Sequence, residues 1–238
     1  MGTACESDQI IYKPPFSRFT IVACCNKRLL YPRHVDGALW SREATRDEIK
    51  SLLVSCYTVG ALEAEDHDTD KSLKTGLIRS YFTTKATSDY FPVAYNRLID
   101  MGHAGWASFI AHKLDEEILH SDLVSQDLGR LFGLSAETVS LMTLPERSSN
   151  LIKILDKAVN GEMPLNCLGY AFVLEFNAIA SANQRRDFKR SKCYEIHGGD
   201  LTESKHIDSM IHFIAHLPFE IQKSICDYCY ETSNVFHS

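Results

Sequence analysis

Apolar residues recur along this chain at intervals of three and four, the period of helices with one buried face. In residues 41–63 they fall at Ile49, Leu52, Leu53, Cys56, Val59 and Leu62. Thr45-x-x-Glu48 ahead of them is a capping box, so this helix begins at Ser41 or Thr45. The acidic stretch EAEDHDTDKS reads as a loop. A shorter helix is predicted over about 73–82, and SDYFP ends it, because the residue before Pro92 disfavours helix. Further helices are predicted over about 93–101 and, as one long segment, 104–132, which Gly133 stops. Its inward face carries Trp106, Phe109, Ile110, Leu114, Ile118 and Leu128. Ser135 caps a short helix, SAETVSLM, and Pro145 with Ser148 and Ser149 opens another that Asn160-Gly161 ends. Residues 165–184 form a mostly apolar helix, and KRSK is a basic turn. Residues 192–217 are helical with a break at Gly198-Gly199, Pro218 ends them, and a last helix covers about 219–232.

Strand signals are weak. RFTIVACC, near 18–25, is β-branched, but no partner with an alternating pattern is evident. The pattern therefore predicts an all-α, single-domain bundle of seven to eight helices over residues 1–238. With 45% hydrophobic residues the chain can bury a large core, and its net charge of −6 argues against nucleic acid as a partner. No apolar stretch reaches the roughly 18 residues of a membrane helix, and the N-terminus has no signal core. A cytoplasmic protein is expected, with no membrane partner. Cys226-x-x-Cys229 has the spacing of half a zinc site, but the adjacent Cys24-Cys25 suits the other half badly. Buried, reduced thiols on a helix are the expectation.

Four short stretches carry chemistry. In DEEILH, Glu117 and His120 are three apart and share a helix face; His112 and Glu116 rank below them, since Asp115 and Glu116 read as the solvated flank. In GYAFVLEFNAIAS, Glu175 sits among apolar residues, so it needs a buried partner: a metal, or an arginine such as Arg79 or Arg97. HGGD carries His197 and Asp200, and ESKH carries Glu203 and His206. His197 and His206 are nine positions apart, half a turn out of phase on a regular helix, and Gly198-Gly199 supplies a break between them. The plainer alternatives are a surface Glu–His pair, and a loop followed by a helix that Thr202 caps.

Carboxylates and histidines on several helices of an all-α chain are the donors of a carboxylate-bridged two-metal site. In this respect the chain resembles the haem-oxygenase-like diiron oxidases and oxygenases. Their usual pattern is Glu and His on one core helix, Glu on a second, and His-x3-Asp-x2-His on a third. Glu117–His120, Glu175 and Glu203–His206 match in order and spacing, with Glu in place of Asp; the chain departs at the first histidine, because position 199 is glycine and His197 is two residues early. The resemblance covers roughly residues 90–217. It implies a haem-oxygenase-like bundle, two Fe(II) ions, O2 as co-substrate, and metal ligands drawn from Glu117, His120, Glu175, His197, Asp200, Glu203 and His206. Whether Asp200 or Glu203 is the last carboxylate stays open.

Within the family, the Gly-Gly break and the length resemble most a nitrile-forming member from cyanobacterial toxin biosynthesis, which converts a halogenated L-tryptophan to an indole-3-carbonitrile. The implied partner is a small aromatic amino acid, and a homodimer is left open. Phe172, Ile179 and Met210 lie one turn from the ligands and are candidate pocket walls; Tyr170 and Tyr194 are candidate hydrogen-bonding groups. Arg79, Lys85 and Lys205 are candidates for the substrate carboxylate. The alternatives are a metal-independent TenA-like hydrolase using Cys167 or Cys193, and a non-catalytic helical interaction protein.

Overall fold

The computed structural model describes residues 10–12, 21–23, 45–63, 73–118, 120–182, 190–197 and 202–238, without the side chains of 10–12, 21–23, 62–63, 180–182, 197 and 202–204. The described residues are helical apart from a short antiparallel ribbon, β1 (Ile10–Tyr12) and β2 (Ile21–Ala23). RFTIVACC thus does supply a strand, with IIY as its partner; three residues are too short to show alternation.

The helices are α1 (Arg46–Glu63), α2 (Leu73–Asp100), α3 (Ala104–Glu117), α4 (His120–Phe132), α5 (Ala136–Ser140), α6 (Glu146–Asn160), α7 (Cys167–Ala182), α8 (Lys192–His197), α9 (Thr202–Ala215) and α10 (Phe219–His237). The capping box forms at α1: the Thr45 N–H donates to Glu48 Oε2 at 2.7 Å and the Glu48 N–H to Thr45 Oγ1 at 3.3 Å. Ser135 caps α5, its hydroxyl accepting from the Thr138 N–H at 3.1 Å. Gly133, at φ +67°, ends α4 in the left-handed region that glycine tolerates best.

Two boundaries differ most from the sequence reading. α2 runs straight through Pro92. An interior proline costs about 3 kcal/mol. Beyond it, Leu98 and Ala94 continue the buried face of Leu77, Tyr81 and Phe91. Burying one leucine or phenylalanine is worth about 1.5–3 kcal/mol, so packing outweighs the proline. The second difference is that 104–132 is two helices, parted at Ile118, which is 52% exposed rather than inward.

The main core is built on α1, α3, α6, α7, α9, α10 and the second half of α2. A smaller cluster of Leu73, Leu77, Tyr81, Val124, Leu128, Val139 and Cys193 joins the first half of α2 to α4, α5 and α8. α7 is the innermost helix: Cys167, Leu168, Tyr170, Phe172 and Val173 are fully buried. Among the described residues, no helix is long and apolar enough to cross a membrane.

α7 and α10 approach closely at Gly169. A Cβ there would press into the Ile225 carbonyl oxygen and lie 2.7 Å from the Cys229 amide nitrogen. Both are backbone and cannot turn aside. Gly169→Ala is expected to cost about 1–3 kcal/mol, read as a lower denaturation midpoint at unchanged slope. An unaltered midpoint would show that the two helices part freely.

Candidate functional site

Among the described residues, the largest concentration of buried charge lies where α3, α4, α7 and α9 meet. It starts from a lysine. Lys113 follows Phe109 and Ile110 by one turn, so the helical period turns it inward with them. Its side chain is 0% exposed, and Nζ lies 2.6 Å from Glu116 Oε2 and 2.6 Å from Glu175 Oε1. Glu175 is 5% exposed within the apolar α7. Glu116 also meets His206 Nε2 at 3.5 Å and His112 Nε2 at 3.3 Å. Next to this group, His120 Nδ1 is 2.7 Å from Glu117 Oε2.

α3 and α9 face each other in a fixed register. Phe109 stacks flat on Phe213 with ring centroids 3.9 Å apart, and Glu116 meets His206. The order along one helix is reversed along the other, so the two run antiparallel. The aromatic pair closes one end of the contact and the charged group occupies the other.

Burial alone would lower the Lys113 pKa, but the charges of Glu175 and Glu116 and their hydrogen bonds outweigh it and hold the group well above the ordinary lysine value. Lys113 is therefore an ammonium in the interior. Tyr170, fully buried, is pushed up first by burial and further by the charge of Glu117, with a Thr87 hydrogen bond acting the other way. Its phenol stays protonated and its O–H points at the Thr83 carbonyl, 3.5 Å away.

Of the residues expected from sequence, Glu175 is buried, Glu117 engages His120 as the spacing implied, and His206 joins the same region. Glu116 is not on a solvated flank: its side chain is 14% exposed and links Lys113 to His206. The partner the structure gives Glu175 is Lys113, and Arg97 donates to the Val159 and Gly161 carbonyls at the end of α6. Asp200 and the side chains of His197 and Glu203 lie outside the described residues; Glu203 falls on the first turn of α9, one turn before His206.

Phe172 and Met210 are buried in the main core, and Ile179 packs against it. Tyr194 packs against the smaller cluster, its hydroxyl beside Gly76. Lys85 pairs with Asp89 on the surface, and Lys205 is exposed. Cys226 and Cys229 are buried against Cys56, all as free thiols; Cys24 and Cys25 lie outside the described residues. Cys167 is fully buried and its thiol is pushed up to about 12 by that burial, which removes the thiolate a hydrolase would need there. Cys193 is 3% exposed.

Donor chemistry and charge suit a divalent cation. Glu116, Glu117 and Glu175 are three carboxylates against one permanent cation, Lys113, with two imidazoles, His120 and His206, beside them. Carboxylate with imidazole suits iron, manganese or zinc. The present arrangement is closed, however: the ammonium stands between Glu116 and Glu175, and among the described residues no three His, Cys, Asp or Glu side chains are gathered as ligands of one ion. Compared with known proteins, the chain matches no family model and no curated relative.

Proposed function

We propose that the chain is an O2-dependent non-haem diiron oxidase of haem-oxygenase-like architecture, acting on an aromatic amino acid. The observation that carries this is Glu175: a carboxylate buried in the most apolar helix, facing a second carboxylate on α3, with His206 and the Glu117–His120 pair at the edges. Glu116, Glu175 and His206 would hold one ion and His120 the other. When bound, two Fe(II) ions supply the electrons that reduce dioxygen beside the substrate.

The chain's own groups have separate tasks. Glu117, on Nδ1 of His120, would set the tautomer and leave Nε2 as the nitrogen to hold a metal. Glu175, reaching from α7 to Lys113 of α3, would be a carboxylate ligand of the metal pair. Tyr170 offers a neutral phenol. The Phe109–Phe213 pair, Met210 and Phe172 keep water from the end of the site. The finer reading, conversion of a halogenated L-tryptophan to an indole-3-carbonitrile with nitrogen kept, rests on the family resemblance.

One observation favours a second reading. Lys113 already pairs with both Glu116 and Glu175. On that ground the cluster is a structural ion-pair network in a non-catalytic helical protein.

Anaerobic loading with Fe(II) separates the two. The oxidase is expected to retain about two irons per chain, as paired carboxylate sites do, and then to consume O2 and release a nitrile only when halogenated L-tryptophan is present. His120→Ala and Glu117→Ala are each expected to lose one iron or all turnover. A protein that stays metal-free, with both variants folded but less stable than the parent, leaves the structural reading.

A further inference from the structure

We propose that Lys113 is a resident cation of this site: its ammonium occupies the place between Glu116 and Glu175 that a divalent ion takes, so that metal loading must displace it. This deepens the diiron reading and rests on it.

Three observations carry the inference. The first is distance. Nζ lies 2.6 Å from an oxygen of each carboxylate, so those oxygens are at most twice that distance apart. A metal held at about 2.0–2.2 Å from each, on the side where Nζ now lies, would overlap the ammonium. The second is burial. Lys113 is 0% exposed and Glu175 5%, so water does little to screen one cation from another. Two positive charges within a few ångströms repel strongly even at an effective dielectric constant of about 20. The third is placement. Lys113 sits on α3 between Phe109, which is stacked on α9, and Glu116, which meets His206. The ammonium therefore ties α3 to α7 at the level where α3 is also held to α9. Its length is what makes this reversible: an unbranched four-carbon stem can move the ammonium aside without moving the helix.

The consequence is a site that assembles without metal. Three carboxylates in one interior would repel one another and hold the helices apart. With Lys113 between two of them, the bundle closes first and accepts metal afterwards. The exchange is one cation for another, so the carboxylates are never left buried and bare.

The test uses the full chain and a metal alone, Zn(II), chosen because it is air-stable and diamagnetic. Affinity is measured by titration calorimetry on wild type, Lys113→Met and Lys113→Gln. Both variants are expected to bind Zn(II) at least about tenfold more tightly than wild type, a difference well resolved on the affinity scale, and to melt lower than wild type before metal is added. Equal or weaker binding in a folded variant overturns the proposal while leaving the diiron reading intact. No binding in any of the three overturns both.

A measurement on wild type covers the case in which the variants do not fold. With 15N-labelled lysine, a buried, ion-paired ammonium gives a slowly exchanging Nζ signal, assigned by its separation from the exposed lysines. Saturation with Zn(II) is expected to abolish or shift it. A signal unchanged at saturation shows that metal and Lys113 do not compete, and the proposal falls.

Discussion

Glu175→Ala is expected to lower stability by about 3–5 kcal/mol, the sum of a lost hydrogen bond to a charged group and the cavity left in the packed face of α7. For a chain of this length that corresponds to a melting temperature lower by about 6–20 °C. The same change removes a proposed metal ligand, so iron loading and turnover should vanish. Glu175→Gln separates the two effects. It keeps the shape and the apolar contacts of the side chain and leaves Lys113 paired with Glu116, so it should melt much closer to wild type. An amide is a poor metal ligand, so iron per chain should still collapse. Thermal melts and metal analysis on both variants decide the matter. If Glu175→Gln keeps full iron loading, Glu175 is a structural partner of Lys113 and nothing more.

That Glu175 needed a buried partner was legible, because a carboxylate four positions from Ala171 and Ile179 in an apolar helix has nowhere polar to go. Which partner it has was not. The sequence reading offered metal, Arg79 or Arg97, and the structure gives Lys113. The signal for Lys113 was available, since it stands one turn after Phe109 and Ile110 on the face already read as inward. It was masked by a sound general expectation, that lysines are almost never buried unless paired. Glu116 was misread for a related reason. Three acidic residues in a row look like a solvated edge, yet a helix turns each by about 100° from the last, so only some can face water. Asp115 is exposed and Glu116 faces α9.

The helix boundaries divide along the same line. Thr45-x-x-Glu48 and Ser135 act through atoms three residues apart, and both caps form as read. The Pro92 break did not occur, because the contacts that hold α2 straight come from α3, α4 and α6, all later in the chain. Local chemistry was readable from local residues; the balance between a local penalty and distant packing was not.

Asp127 shows the same limit most sharply, and its loss is the second large effect expected. Beyond the Arg130 spacing nothing in SDLVSQDLGR marks it, because its other partners, Ser191 and Cys193, lie more than sixty residues away. The side chain is 1% exposed on α4. Its Oδ2 accepts the Ser191 hydroxyl at 2.7 Å and the Cys193 N–H at 2.9 Å, while Oδ1 accepts from Arg130 at 2.7 Å. Ser191 in turn accepts the Tyr194 N–H at 3.1 Å. Asp127 and Ser191 together satisfy the first amides of α8, a helix of only six residues that ends at His197. Burial would raise the Asp127 pKa, but Arg130, the Cys193 amide and Ser191 outweigh it and hold the carboxyl below the ordinary aspartate value. Asp127→Ala is expected to cost about 3 kcal/mol, the loss of hydrogen bonds to a charged group, with Arg130 adding little because it is half exposed. The sign of the pH dependence follows from the depressed pKa. The stabilisation is present above the unfolded value, near 3.9, and is lost as pH falls through the lower folded value. Wild type should therefore lose stability faster than Asp127→Asn as pH falls below about 4. Denaturant melts of the two between pH 2.5 and 6 test this, and amide exchange at Cys193 and Tyr194 should quicken in the variant. Parallel pH curves, with exchange at α8 unchanged, would show that Asp127 does not hold α8 in place.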